Sequence, residues 1–340
     1  YLYCVLFHAQ YKKIWSPMLK KNGKSENELV SIIIPCYNYG EYVKKSIDSA
    51  LGQTYDNIEV VIIDNGSTDN SYSVIKEFSS DRRVKIFKFD KNIPPGNKDY
   101  VVGYAILKSK GKYISLLMAD DWYFPDKIKK QVELFNKSPN SVGVVYCHGY
   151  HFFDESKQFK KWKMQSVSGY VFKEYLSKGD LVIPISPLVK RFCYDIIGLE
   201  NDWIGSEYDF FMMSQYVDFD YVDEHLVVMR VHQKNDRFNF LSVYERVKRY
   251  HNVALTTEAT INRGGEYLIR KRMANNYLSF AYDFIKIKHD MVHGSMAIID
   301  AVKLFPLYFF KPKVIIALLL TIMPSMIYKH IFSVYRKIKL

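Results

Sequence analysis

The chain has 340 residues, 48% of them hydrophobic and 25% charged, which excludes collagen-like, low-complexity and purely disordered classes. Its formal net charge is +12, yet from Asp236 to Leu340 there are 17 Lys/Arg against 7 Asp/Glu, so +10 of the excess lies in the last 105 residues. A charge confined to one apolar, helical end is not the basic folded face of a nucleic-acid binder.

Residues 1–28 are Lys-rich and are expected to form an N-terminal arm. The opening "YLYCVLF" is apolar for only seven residues and has no basic segment before it, so it does not read as a signal peptide. From Leu29 the pattern is regular. Apolar, β-branched runs at 29–35, 58–64, 84–89, 113–118 and 142–147 predict strands, and helix-period segments near 41–52, 69–79, 98–110 and 125–136 alternate with them. That alternation predicts an α/β fold with right-handed crossovers and a mostly parallel central sheet flanked by helices. Pro125 is expected in the first turn of its helix. Residues 150–235 are less regular and rich in aromatics, and from about Phe238 the chain turns helical and basic. The four cysteines, Cys4, Cys36, Cys147 and Cys193, form no C-x-x-C pair and are expected to be reduced, mostly buried thiols.

The chemistry concentrates where strands end. "YISLLMADDWYFPDKI" (113–128) carries two adjacent carboxylates, Asp120 and Asp121, straight after an apolar strand. Like charges this close repel, and loss of hydration disfavours both, unless a cation meets them. "VVIIDNGSTDNS" ends its strand in Asp64 and Asn65, turns at Gly66, and offers Ser67, Thr68 and Asp69 to cap the next helix. The first strand ends in "PCYNYGEY", which supplies Tyr37 and Asn38. Parallel strands bring these loops to one edge, where open α/β sheets bind ligands. A ring, an amide or acid for a base edge, and an acidic pair for Mg²⁺ or Mn²⁺ with phosphates completing its shell suit a nucleoside diphosphate.

Taken together, "VSIIIPCYNYGEYVKKSIDSALGQTYDNIEVVIIDNGSTDNS", "GKYISLLMADDWYFPDKI" and "GSEYDFF" resemble a family 2 glycosyltransferase with the GT-A fold, of the inverting, bacterial polysaccharide-biosynthesis type. The resemblance implies a glycosyltransferase domain over 29–235, with a nucleotide-binding half at 29–148 and an acceptor half at 149–235. It implies transfer of one sugar from a nucleotide donor, a UDP- or dTDP-sugar above all, to a glycan or lipid-linked acceptor in cell-surface polysaccharide synthesis, with Mn²⁺ or Mg²⁺ as cofactor. By match to the family's motifs, Pro35, Tyr37, Asp64 and Asn65 would line the base and ribose pocket, Asp120 would lie near ribose and metal, and Asp121 would ligate the metal. Two departures stand out. Asn65 replaces the family's usual second Asp, and no Arg occurs in the segment before "GKYI", where Lys98 is the candidate substitute.

Displacement at an anomeric carbon needs a carboxylate to take the acceptor's proton. "DWIGSEYDFFMM" falls where the family places this base; Glu207 aligns with it, Ser206 replaces an acid often found before it, and Asp209 is the alternative. "VVMRVHQKN" resembles a segment that brings His232 toward the metal and offers Arg230 to phosphate. His148 and His151 lack a third ligand and are expected to be structural. "QFKKW" (158–162) resembles a processive-synthase signature, but it has Lys for Arg and precedes the base it should follow, so one sugar per encounter is expected.

Residues 236–340 are expected to form a basic, helical, membrane-associating extension with an apolar segment at 314–335. Val314 to Tyr328 would span roughly 22 Å as a helix, against about 30 Å for a bilayer core. With Lys311, Lys313, Lys329, Arg336, Lys337 and Lys339 around it, the segment suits a helix lying on an anionic leaflet, with a buried helix or a spanning one through Tyr335 as alternatives. The expected location is cytoplasmic, peripheral to the inner face of the cell membrane. Two other functions compete: a catalytically impaired nucleotide-binding or scaffold relative, and a sugar-phosphate nucleotidyltransferase, which would want a Gly-rich, Arg-bearing loop after the first strand. The G-x-G-x-x-G of a dehydrogenase is absent there.

Overall fold

The computed structural model of the chain describes residues 27–93, 101–179, 181–199, 206–235, 239–257, 265–312, 314, 315 and 318. The chain divides into two compact units, Tyr1–Gln233 and Lys234–Leu340.

The first unit is built on one sheet. Strands β1 (Val30–Cys36), β2 (Ile58–Asp64), β3 (Val84–Lys88) and β4 (Tyr113–Leu116) alternate with helices α1 (Val43–Leu51), α2 (Ser71–Lys76) and α3 (Val101–Lys108). They pair in parallel in the order β3-β2-β1-β4. Every residue of β2 is buried, and so are six of the seven in β1. Strands with both faces covered need no polar alternation, which is why these segments read as near-continuous apolar runs.

After β4 come β5 (Trp122–Tyr123), α4 (Lys127–Lys137), β6 (Val142–Phe153), β7 (Gln158–Trp162), α5 (Phe172–Lys178), β8 (Leu188–Lys190), α6 (Phe192–Ile197), α7 (Ser206–Met213) and β9 (Asp218–Val231). Here the fold departs from simple parallel succession. β8, only three residues long, runs between β4 and β6 and is antiparallel to both. β6 and β9 then pair in parallel with register shifts, β5 closes the order antiparallel to β9, and β7 pairs antiparallel to β6. Three residues are too few to show a period, so β8 is invisible to pattern reading. The 14-residue β9 lies within the stretch that reads as irregular, because its burial alternates only in part. α4 begins at Lys127 after Asp126, so Pro125 stands before the cap and not in the first turn. The Pro125 carbonyl instead accepts from Thr54 N–H.

The second unit is helical: α8 (Phe240–Thr256), α9 (Glu266–Asp283) continuing as a π-helical turn (Phe284–Lys288), α10 (Met291–Leu304) and a 3₁₀ turn (Pro306–Phe310). Tyr244 Oη donates to Asp300 at 2.7 Å within it. No helix among the described residues is long and apolar enough to cross a membrane. Nearly all of segment 314–335 lies outside the described residues.

Candidate active site

The loops leaving β1 and β2 are stitched together at the carboxyl edge. Asn38 N–H donates to Ser67 Oγ (3.0 Å), Tyr39 N–H to Ser71 Oγ (2.9 Å) and Gly40 N–H to Asp69 Oδ2 (3.1 Å), while Asn38 Oδ1 accepts from Thr68 N–H (2.8 Å). Asn38 takes φ of 55°, a left-handed conformation that Asn tolerates. The expected helix cap is thus mostly a loop-to-loop clasp. Asn70 occupies the cap position of α2 without a side-chain bond, and only Asp69 reaches the helix, at Ser71 N–H (2.9 Å).

Asp64 ends β2 fully buried, and neither carboxylate oxygen has a hydrogen-bond partner. Such an acid costs stability unless a ligand supplies donors. Asn65, beside it, is engaged elsewhere. Its Oδ1 accepts from Ile93 N–H (3.0 Å), and its Nδ2 donates to the Ile93 carbonyl (3.1 Å) and Asn92 Oδ1 (2.8 Å). Gly66 has φ of +72°, and a Cβ there would come within 2.4 Å of the Lys91 backbone carbon. Asn65 and Gly66 together fasten the loop after β3, and an aspartate at 65 would lack the two donated bonds.

The acidic pair sits in the short turn between β4 and β5. Leu117 N–H donates to the Ile33 carbonyl and Asp121 N–H to the Met118 carbonyl, so the chain leaves the sheet beside β1 and turns at once. Asp120 and Asp121 are 8% and 3% exposed. β9 holds them from the other side: Arg230 N–H donates to Asp121 Oδ1 (2.8 Å), Arg230 Nε–H to the Asp120 carbonyl (3.0 Å), and His232 Nε2 lies 3.0 Å from Asp120 Oδ2. The His232 ring is 4.5 Å from Tyr42 and 5.7 Å, edge-on, from Tyr39, centroid to centroid.

Arg230 is offered to phosphate by sequence, but here its guanidinium faces other partners. Nη1 donates to Asp154 Oδ1 at 2.6 Å, and the head lies 4.8 Å from the Tyr42 ring and 5.0 Å from Trp122. Lys45 Nζ sits 3.4 Å over the same Trp122 ring, its pKa lowered by burial and then by the Arg230 charge. Asp154, Lys45 and Trp122 escape motif reading, because their contacts bridge separations such as the 76 residues between Asp154 and Arg230.

The remaining candidates are placed as follows. Pro35 is partly buried on β1, and Tyr37, 39% exposed, follows that strand on the same edge. Lys98 and the Glu207 side chain lie outside the described residues, although the backbone of Glu207 is in the first turn of α7. Asp209, on the same helix, is 6% exposed. Burial, then the Asp209 charge, push the Tyr194 phenol well above its usual pKa. His148 is fully buried, 2.8 Å from Asp223, and its Nδ1 accepts from Met164 N–H, while the His151 ring stacks on Trp162 at 4.2 Å. Cys36, Cys147 and Cys193 are free and buried.

Among the described residues no three His, Cys, Asp or Glu side chains converge as a closed metal cage. The donor set of the turn is of another kind, two neighbouring carboxylates on a sheet edge. It fits a hard cation that takes one or two carboxylates and completes its shell with substrate phosphate oxygens.

The chain is similar to known proteins in sequence and in fold. The profile described as Glycosyl transferase family 2 matches residues 31–188. An uncharacterised glycosyltransferase of Rickettsia typhi is 33% identical over 244 residues, covering 67% of this chain and 72% of the relative, and one of Rickettsia prowazekii is 30% identical over 76% and 80%. A third, from Rickettsia felis, is 40% identical but matched over only 23% of its own length. Among solved structures, residues 1–349 of S. aureus TarS in complex with UDP-GlcNAc superimpose with a TM-score of 0.62 at 14% identity, covering 91% of each chain. A mannosyltransferase from Pyrobaculum calidifontis, in complex with GDP-Man and Mn²⁺, gives 0.55 at 13% identity over 94% of this chain and 96% of that one. At those identities the structural likeness establishes the GT-A-like fold.

Proposed function

The chain belongs to glycosyl transferase family 2 and is a glycosyltransferase, and on that premise we propose that it inverts the anomeric carbon of a nucleoside-diphosphate sugar. One sugar passes to a hydroxyl of a glycan or lipid-linked acceptor, in the synthesis of cell-surface polysaccharide. Asp64 carries this reading: a fully buried carboxylate with two unpaired oxygens, on the same sheet edge as the Asp120–Asp121 turn. Buried acceptors without donors are what a base or ribose would satisfy.

In this mechanism the donor's base and ribose lie along Pro35, Tyr37 and Asp64, with Asp120 toward the ribose. Uracil or thymine can offer Asp64 an N–H, and UDP- and dTDP-sugars are the proposed donors. Asn65 serves by holding the 91–93 loop against the pocket. Asp121, with Asp120, would hold Mg²⁺ or Mn²⁺, which supplies positive charge to the leaving diphosphate when bound. His232 orients Asp120 through Nε2 and by that atom is a supporting partner more than a ligand. Glu207 takes the acceptor's proton, with Asp209 as the alternative. Lys98 is proposed on the diphosphate side. The basic C-terminal region, with its apolar segment at 314–335, would keep the enzyme on the anionic inner face of the cell membrane.

The test is a panel of nucleotide sugars incubated with the protein, with Mn²⁺, with Mg²⁺ and with chelator, while release of nucleoside diphosphate is followed. Cation-dependent release from one donor is expected. Release from none, with no nucleotide binding, would contradict the proposal.

A further inference from the structure

We infer that Asp154 is a positioning residue for the reaction, acting through Arg230 to hold the Asp120–Asp121 turn open toward the donor. This rests on the functional reading above. The chain of contacts is short and mostly shielded from water: Asp154 Oδ1 accepts from Arg230 Nη1 at 2.6 Å, Arg230 Nε–H donates to the Asp120 carbonyl at 3.0 Å, and Arg230 N–H donates to Asp121 Oδ1 at 2.8 Å. The two charged side chains are 10% and 17% exposed. Backbone pairing fixes where they start. Phe152 is the register partner of Arg230, and Asp154 N–H donates to the Val231 carbonyl at 3.0 Å, so the end of β6 carries its carboxylate alongside the guanidinium.

The physical need for Asp154 follows from what else is within reach of Arg230. A guanidinium removed from water seeks a carboxylate. Asp120 and Asp121 are both close, because the backbone of Arg230 already touches one and its Nε the carbonyl of the other. Asp154 engages the head at Nη1, and Tyr42, Trp122 and Phe152 lie against it at 4.8, 5.0 and 5.5 Å. With that partner neutralised, the head would turn inward and pair with the acids the donor needs. Lys157, 3.6 Å from Asp154 and largely exposed, is itself a cation and cannot take the place of that carboxylate beside Arg230.

The experiment compares Asp154→Asn, Arg230→Lys and the double variant in the full chain. Read out are donor KM and kcat, nucleoside diphosphate affinity by calorimetry with and without Mn²⁺, and the thermal midpoint. Asp154→Asn is expected to weaken nucleoside diphosphate binding and raise donor KM by roughly 10-fold, the range seen when a supporting partner of a ligand is lost. Its thermal midpoint should move by only a few degrees. The double variant should be no worse than Arg230→Lys alone, because the two residues act as one unit. Unchanged binding in Asp154→Asn overturns the inference, and so do additive losses. A fall in kcat alone, in proportion to folded protein, also overturns it, since that is what a merely structural residue gives. A wild-type chain that turns over a donor while these variants behave normally sinks the clamp and leaves the functional reading intact. A wild-type chain that binds no nucleotide sinks both.

Discussion

His232 Nε2 lies 3.0 Å from Asp120 Oδ2, a contact that spans 112 residues of chain within the first unit. Both side chains are nearly inaccessible to solvent, and Tyr42 and Tyr39 lie against the imidazole. The acid that follows β4 is therefore aimed by the residue that follows β9. Replacing His232 by Ala leaves a buried carboxylate short of a donor, which costs about 1–3 kcal/mol. A drop of that size in urea-unfolding free energy is expected, together with weaker nucleotide binding. An unfolding midpoint equal to wild type would show that the contact contributes nothing.

Asp64 should behave in the opposite sense for stability. Its two oxygens are buried and unpaired, so the free enzyme carries an uncompensated desolvation cost. Asp64→Ala is expected to raise the thermal midpoint while weakening nucleotide affinity at least 10-fold, the trade-off typical of binding residues. Calorimetric melting and titration on the same sample decide it. A destabilised variant that still binds nucleotide would remove Asp64 from the pocket.

The base prediction separates chemistry from binding. Glu207→Gln keeps shape but cannot accept the acceptor's proton, so transfer should fall by roughly 10²-fold or more. Nucleoside diphosphate affinity should stay within about threefold, because the group acts only in the transition state. Asp209→Asn, made in parallel, should lose less activity. Asp209 is 6% exposed on α7, with Tyr194 close enough to feel its charge. If the Asn variant is dead and the Gln variant active, the base stands two residues later.

Lys127 gives a pH-dependent prediction independent of function. It is fully buried on α4; its Nζ donates to Ser115 Oγ at 2.8 Å and lies 4.1 Å over the Tyr123 ring. Burial pushes its pKa down to about 7. The unfolded chain, with a lysine pKa of about 10.4, binds more protons between those values, so stability rises with pH across about pH 7 to 10. Lys127→Met, of similar length and no charge, should be more stable than wild type at pH 7, and the gap should shrink toward pH 10. Urea denaturation at pH 7, 8.5 and 10 measures this. A gap that is constant or widens with pH would mean the amine is not held neutral in the fold.

Much of this protein was determined by sequence alone. Near-continuous apolar runs at 30–36 and 58–64 dictate strands buried on both faces, and their polar ends dictate which edge can bind. Asp64, Asp120 and Asp121 announce themselves because an acid beside a buried strand needs a reason to be there. Tertiary structure decided the rest, wherever the cause was a contact between distant segments. Asn65, an acid's stand-in by motif, turns out to bind Asn92 and Ile93. Arg230, next to a phosphate site by motif, is drawn to Asp154 and three aromatic rings. β8, too short to carry a period, reverses direction between β4 and β6. Local pattern fixes what a segment is; pairing across tens of residues fixes which partner each charge meets, and hence the work it does.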